Sequence, residues 1–85
     1  MNQTEARAAV EMALGEVAPD VDREELESGA RLRQDLELDS LDFLGLMETI
    51  ARETGGTVPE ADYPQVATVG TLIDYVAAHA DDGQS

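Results

Sequence analysis

The stretch Asp35-Leu36-Glu37-Leu38-Asp39-Ser40-Leu41-Asp42-Phe43 decides the reading of this chain, because there an irregular acidic run turns into a helix. Asp39 is a good N-cap, since a short carboxylate can accept hydrogen bonds from the free amides of a first helical turn. Asp42, three residues on, completes a loose capping box. Behind them Phe43, Leu46, Met47 and Ile50 gather on one side at about 100° per residue, which is a core stripe. The pattern halts at Gly55-Gly56, so a helix is expected from about Ser40 to Thr54. Leu41 points almost directly away from the stripe, and Leu44 lies more than a quarter-turn from its centre. One exposed leucine carries no message. Two of them a turn apart, flanked by Asp42 and Glu48, read as part of a docking surface, unless the loop before or the short helix after covers them.

Upstream, Ala6, Val10, Ala13, Leu14 and Val17 recur at helical spacing, giving a helix over Thr4 to Val17 that Pro19 ends. Residues 18–39 make a long connection, and Val21, Leu26, Leu32, Leu36 and Leu38 look like pegs holding it on the core. A loop of that length in a compact domain is usually functional or a linker. Downstream, Pro59 opens a short helical turn with Glu60 and Asp62 in its negative-tolerant start, and Pro64 keeps it short. A last helix over about Thr68 to Ala80 places Val69, Leu72, Ile73, Val76 and Ala80 on one face and His79 in its final turn. No strand-type alternation or internal repeat is present. The expected fold is all-α: a four-helix bundle of three main helices and one short one, with a long first loop. A single domain over residues 1–85 is expected, with a frayed tail at 81–85.

Composition narrows the functions. Nineteen acids against five bases, all arginine, give a formal net charge of −14. A field of that sign repels nucleic acid and anionic membrane and steers the chain toward basic protein surfaces, though part of it serves solubility alone. There is no cysteine, so the chain has no disulfide, no thiolate metal site and no thiol of its own. Two acidic runs, at Asp20-x-Asp22 and Asp35-x-Glu37, fail the calcium-loop template: Glu25 and Ser40 stand where glycine is required, and Arg31 and Leu46 where the closing glutamate belongs. A lone His79, with no thiol and no lysine, offers no catalytic set, so the chain is not expected to be an enzyme. Neither a signal-peptide pattern nor an apolar run of about 18 residues is visible, which points to a cytoplasmic chain without a membrane span. It reads as a discrete monomer.

The segment Asp35 to Asp42, with Asp39-Ser40-Leu41 at its centre, resembles the attachment motif of the acyl carrier protein family. The likeness runs on through Val58 to Tyr63, Val66 to Val69 and Ile73 to Val76, nearly the whole chain. The resemblance implies that Ser40, preceded by Asp39, receives a 4′-phosphopantetheine arm from coenzyme A and carries acyl groups on it as thioesters. Partners would be a phosphopantetheinyl transferase, an acyltransferase or acyl-activating ligase, and a ketosynthase. Leu41, Asp42, Leu44 and Glu48 would face them, and Leu46, Met47, Ile50, Val58, Val66, Val69, Leu72 and Ile73 would line the space for the acyl chain. The sequence also departs from the family pattern. Glu37 stands at a position that is commonly glycine. Gly45, Ala51 and Arg52 occupy places on the exposed side of the second helix that are often acidic, and Thr54 a place that is often apolar. The departures at Glu37, Gly45, Ala51 and Arg52 favour polyketide or another specialised acyl pathway over housekeeping fatty-acid synthesis. A reading from another class is an unmodified acidic adaptor with Ser40 bare.

Overall fold

The computed structural model describes residues 2–22, 26–55 and 58–79, and the expected tail at 81–85 lies outside them. In chain order the elements are α1 (Gln3–Val17), α2 (Ser40–Thr54), a 3-10 helix (Glu60–Val66) and α3 (Val69–His79). α1 packs against both α2 and α3, and the 3-10 helix packs against α3, so the expected all-α bundle of three main helices and one short one is observed.

Each of the three α-helices begins where side chains can satisfy the free first-turn amides, whereas the 3-10 helix has no side-chain cap. In α1 the Asn2 side chain accepts from the Glu5 amide at 2.7 Å, while the Glu5 carboxylate accepts from the Asn2 amide at 3.3 Å. In α2 the Asp42 amide donates to Asp39 at 2.8 Å, and the Asp39 amide donates back to the Asp42 carboxylate at 3.5 Å. Ahead of α3 the Thr71 amide donates to Thr68 Oγ1 at 3.1 Å, and the Thr68 amide donates to Thr71 Oγ1 at 3.0 Å. α2 stops at Gly55, whose φ of 76° is a left-handed conformation that glycine adopts without a side-chain penalty. The short helix differs from expectation in kind. It is a 3-10 helix that carries Pro64 inside it, and Pro59 is its flanking residue, not its first helical one.

Ala6, Val10 and Leu14 of α1, Phe43, Leu46, Met47 and Ile50 of α2, and Val69, Leu72, Ile73 and Val76 of α3 form one core. Leu26, Leu32 and Leu38 of the long loop are buried in it, with Val21 and Leu36 half-buried, so the five pegs act as expected. The loop is also stitched to the start of α3 by backbone bonds. Leu32 N–H donates to Ala67 at 2.9 Å, Val69 N–H to Ala30 at 2.9 Å and Gly70 N–H to Ser28 at 2.8 Å. At Gly70 the approach is close enough that an added Cβ would lie 2.9 Å from the Ser28 carbonyl oxygen. Thr49 and Thr54, buried on α2, donate to the carbonyls of Gly45 and Ile50 at 2.8 and 2.7 Å, which meets their need for partners inside the core.

Candidate functional site

Ser40 is the first residue of α2 and is exposed. Its position follows from the cap. Asp39 holds the extended backbone before the helix, and its side chain takes the Asp42 amide. Ser40 and Leu41 therefore stand at the open end of the helix, where amides lack intrahelical acceptors and the dipole favours an anion. The Ser40 hydroxyl accepts a hydrogen bond from Arg33 Nη2 at 3.2 Å, a contact across seven residues that makes the end of the loop part of the site.

The loop is shaped for this. Asp35 accepts from the Arg31 amide at 2.7 Å and from its guanidinium at 3.2 and 3.3 Å, closing a turn around Arg33. Those hydrogen bonds from the Arg31 side chain and amide hold the Asp35 carboxyl below the usual carboxylate range. Glu37 has a φ of 57°, the one non-glycine residue in the left-handed region among the described residues. Glycine, which the resemblance leads one to expect at this place, would take that conformation without a side-chain penalty, so Glu37 brings backbone strain as well as charge.

Leu38, Phe43, Tyr63 and Pro64 are, with Arg33, among the walls of a cleft of about 590 Å³, and Arg33 is the wall that also touches Ser40. The Phe43 and Tyr63 rings meet edge to face with centroids 5.1 Å apart, joining the first turn of α2 to the 3-10 helix. Tyr75 fastens that helix to α3, its hydroxyl donating to Asp62 at 2.6 Å, and the bond to this carboxylate pushes the Tyr75 pKa up.

Leu41 and Leu44 are 78% and 43% exposed, so neither the long loop nor the 3-10 helix covers them. Glu48 is exposed on the same helix and Asp42 is half-buried. Leu46, Met47, Ile50, Val58, Val66, Val69, Leu72 and Ile73 are all buried in the core. The cleft that Arg33 lines has other walls. Of the three departures expected on the exposed side of α2, only Arg52 stands in solvent. Gly45 and Ala51 are half-buried, and a Cβ on Gly45 would lie 3.4 Å from Val17 of α1. Arg52 is 3.7 Å from the Glu16 carboxylate and donates to Thr49 at 3.3 Å, so its charge is partly answered within the chain. Sequence reasoning missed Arg33 and the Phe43–Tyr63 wall. A cation seven residues before the serine, within an acidic run, was the available signal for Arg33.

These residues suit a phosphorylated arm. The Ser40 hydroxyl is open to solvent, a guanidinium already touches it, and the helix end tolerates negative charge. The family model described as the phosphopantetheine attachment site matches residues 7–76. The acyl carrier protein of Rubrobacter xylanophilus is 36% identical over 59 residues, spanning 69% of this chain and 73% of that one. The acyl carrier protein of Thermotoga maritima is 36% identical over 56 residues, spanning 66% and 69%. A solved structure of an acyl carrier protein from Enterococcus faecalis superposes with a TM-score of 0.74 at 18% identity, covering 94% of this chain and 100% of that one, a likeness of fold.

Proposed function

This chain belongs to the acyl carrier protein family, and from that premise we propose that Ser40 is the residue to which its 4′-phosphopantetheine is attached. Members of the family are non-catalytic carriers. The arm supplies the thiol on which acyl groups ride, and this chain has no cysteine to supply one. The observation that carries the assignment is an exposed serine hydroxyl, at the first residue of a capped helix, bonded to a guanidinium within the matched segment. Asp39 positions it by capping α2. Coenzyme A with a broad-specificity phosphopantetheinyl transferase should add one arm to the protein, and Ser40→Ala should abolish the addition. An arm retained by that variant would refute the assignment.

Leu41 and Leu44, with Asp42 and Glu48 nearby, would form the face that meets the transferase, the acyltransferase or ligase, and the ketosynthase. The exposure of Leu41, Leu44 and Glu48 supports this, while Asp42 is half-buried. The buried residues Leu46, Met47, Ile50, Val58, Val66, Val69, Leu72 and Ile73 would have to part to admit an acyl chain, since they are packed together in the core.

For the pathway, the reading is a dedicated partner set, polyketide or another specialised acyl synthesis in preference to housekeeping fatty-acid synthesis. Its support is now Arg52, which places a cation on a helix face that would meet a basic enzyme patch with like charge. Arg52→Glu should improve turnover by a housekeeping ketosynthase, most at low salt, where surface charges are least screened. Turnover of the unaltered chain equal to that system's own carrier would refute it.

A further inference from the structure

The described arginines divide into two kinds. Arg7, Arg31 and Arg52 each lie within ion-pair distance of a carboxylate: Glu11 at 2.9 Å, Asp35 at 3.2 Å and Glu16 at 3.7 Å. Arg33 is turned to the Ser40 hydroxyl instead, at 3.2 Å. That choice is odd in a chain so rich in acids, with Asp35, Glu37, Asp39 and Asp42 all close in sequence. It is also electrostatically useful. A phosphodiester built on Ser40 would add negative charge to this acidic neighbourhood, and its unesterified oxygens lie two bonds beyond the atom that Arg33 already touches. A guanidinium presents paired donors that match two phosphate oxygens at once, which an ammonium does not.

We propose that Arg33 is a positioning residue for the arm: on modification it passes its hydrogen bond from the Ser40 hydroxyl to the phosphodiester. Arg33 is also a wall of the cleft closed by Leu38, Phe43 and Tyr63. A phosphate held by Arg33 would therefore be bound by a residue that also lines that cleft. This rests on Ser40 being the modified residue. Because Arg33 is exposed and lies outside the core, its replacement leaves the fold intact, and the melting curve of the unmodified protein checks that directly.

The test compares unmodified and modified forms of the wild type, Arg33→Gln and Arg33→Lys, after coenzyme A and a broad-specificity transferase, with intact mass confirming the arm on each. In the wild type, modification should move the Arg33 Nε–Hε resonance more than those of Arg7, Arg31 and Arg52, and should leave the melting temperature level or raised. In Arg33→Gln, modification should lower the melting temperature, with the loss shrinking as salt is added, and the phosphorus resonance should shift from its wild-type position. Arg33→Lys should fall between the two, keeping the charge without the fork. An unmoved Arg33 resonance, or the same change on modification in wild type and Arg33→Gln, overturns the proposal while leaving the Ser40 assignment standing. No added mass on the wild type would overturn both.

Discussion

At Glu37 the backbone takes a φ of 57°, a conformation that costs an L-residue with a side chain roughly 1–2 kcal/mol. Glycine would remove that cost, less about 0.4–1 kcal/mol for the extra freedom it gives the unfolded chain. Glu37→Gly should therefore stabilise the protein by up to about 1.6 kcal/mol, read as a rise in Tm, since about 1 kcal/mol shifts a domain of this size by about 4–8 °C. A fall in Tm would show that the Glu37 side chain contributes more than its backbone strain costs. From the sequence, Glu37 read as a change in charge. The φ behind it is a property of how the loop must turn between the half-buried Leu36, the buried Leu38 and the Asp39 cap, and no residue type announces it. The bond from Arg33 to Ser40 was hidden for the same reason: seven residues of irregular chain separate the two, and only the Arg31–Asp35 turn brings them together.

α2 shows where local chemistry is sufficient. Asp39, Asp42 and Gly55 mark its ends, and the stripe of Phe43, Leu46, Met47 and Ile50 faces the core, all legible because capping and helical period depend on near neighbours alone. The flanks of the helix were less legible. Gly45 and Ala51 are half-buried, and which flank α1 covers depends on how the two helices cross, as Val17 beside Gly45 illustrates. The difference between faces can be measured. Leu46→Ala should cost about 2–5 kcal/mol, because it empties fully buried space. Leu44→Ala should stay within about 0.5 kcal/mol, as surface changes usually do, while slowing acyl loading or transfer by partner enzymes. A large loss of Tm for Leu44→Ala would make that residue part of the core. Equal transfer rates with unchanged Tm would remove it from the docking face.

Across the whole molecule, a net charge of −14 on a body of 34 × 26 × 20 Å sets the fold against its own repulsion. Its Tm should rise as monovalent salt goes from about 0.01 to 0.15 M, since the Debye length falls from about 30 to about 8 Å. Thermal scans that stay flat over that range would contradict this. At alkaline pH the Asp62–Tyr75 bond joining the 3-10 helix to α3 should fail. The Tyr75 pKa is raised in the folded state, so its contribution is present below about pH 10, the ordinary tyrosine value, and is lost as pH climbs through the folded value. Tyr75→Phe should flatten that alkaline limb. The chain has no thiol of its own, so on the reading proposed above its chemistry is borrowed through one attachment point, the open serine at the head of α2. Cleavage after arginine frees the peptide Gln34–Arg52, in which Ser40 is the sole serine. Fragment masses of that peptide, taken after treatment with coenzyme A and transferase, test the central claim most directly. The mass of one phosphopantetheine should appear on Ser40 and on no other residue, whereas its appearance in another peptide, on Thr49 of the same one, or nowhere in the chain would contradict the account.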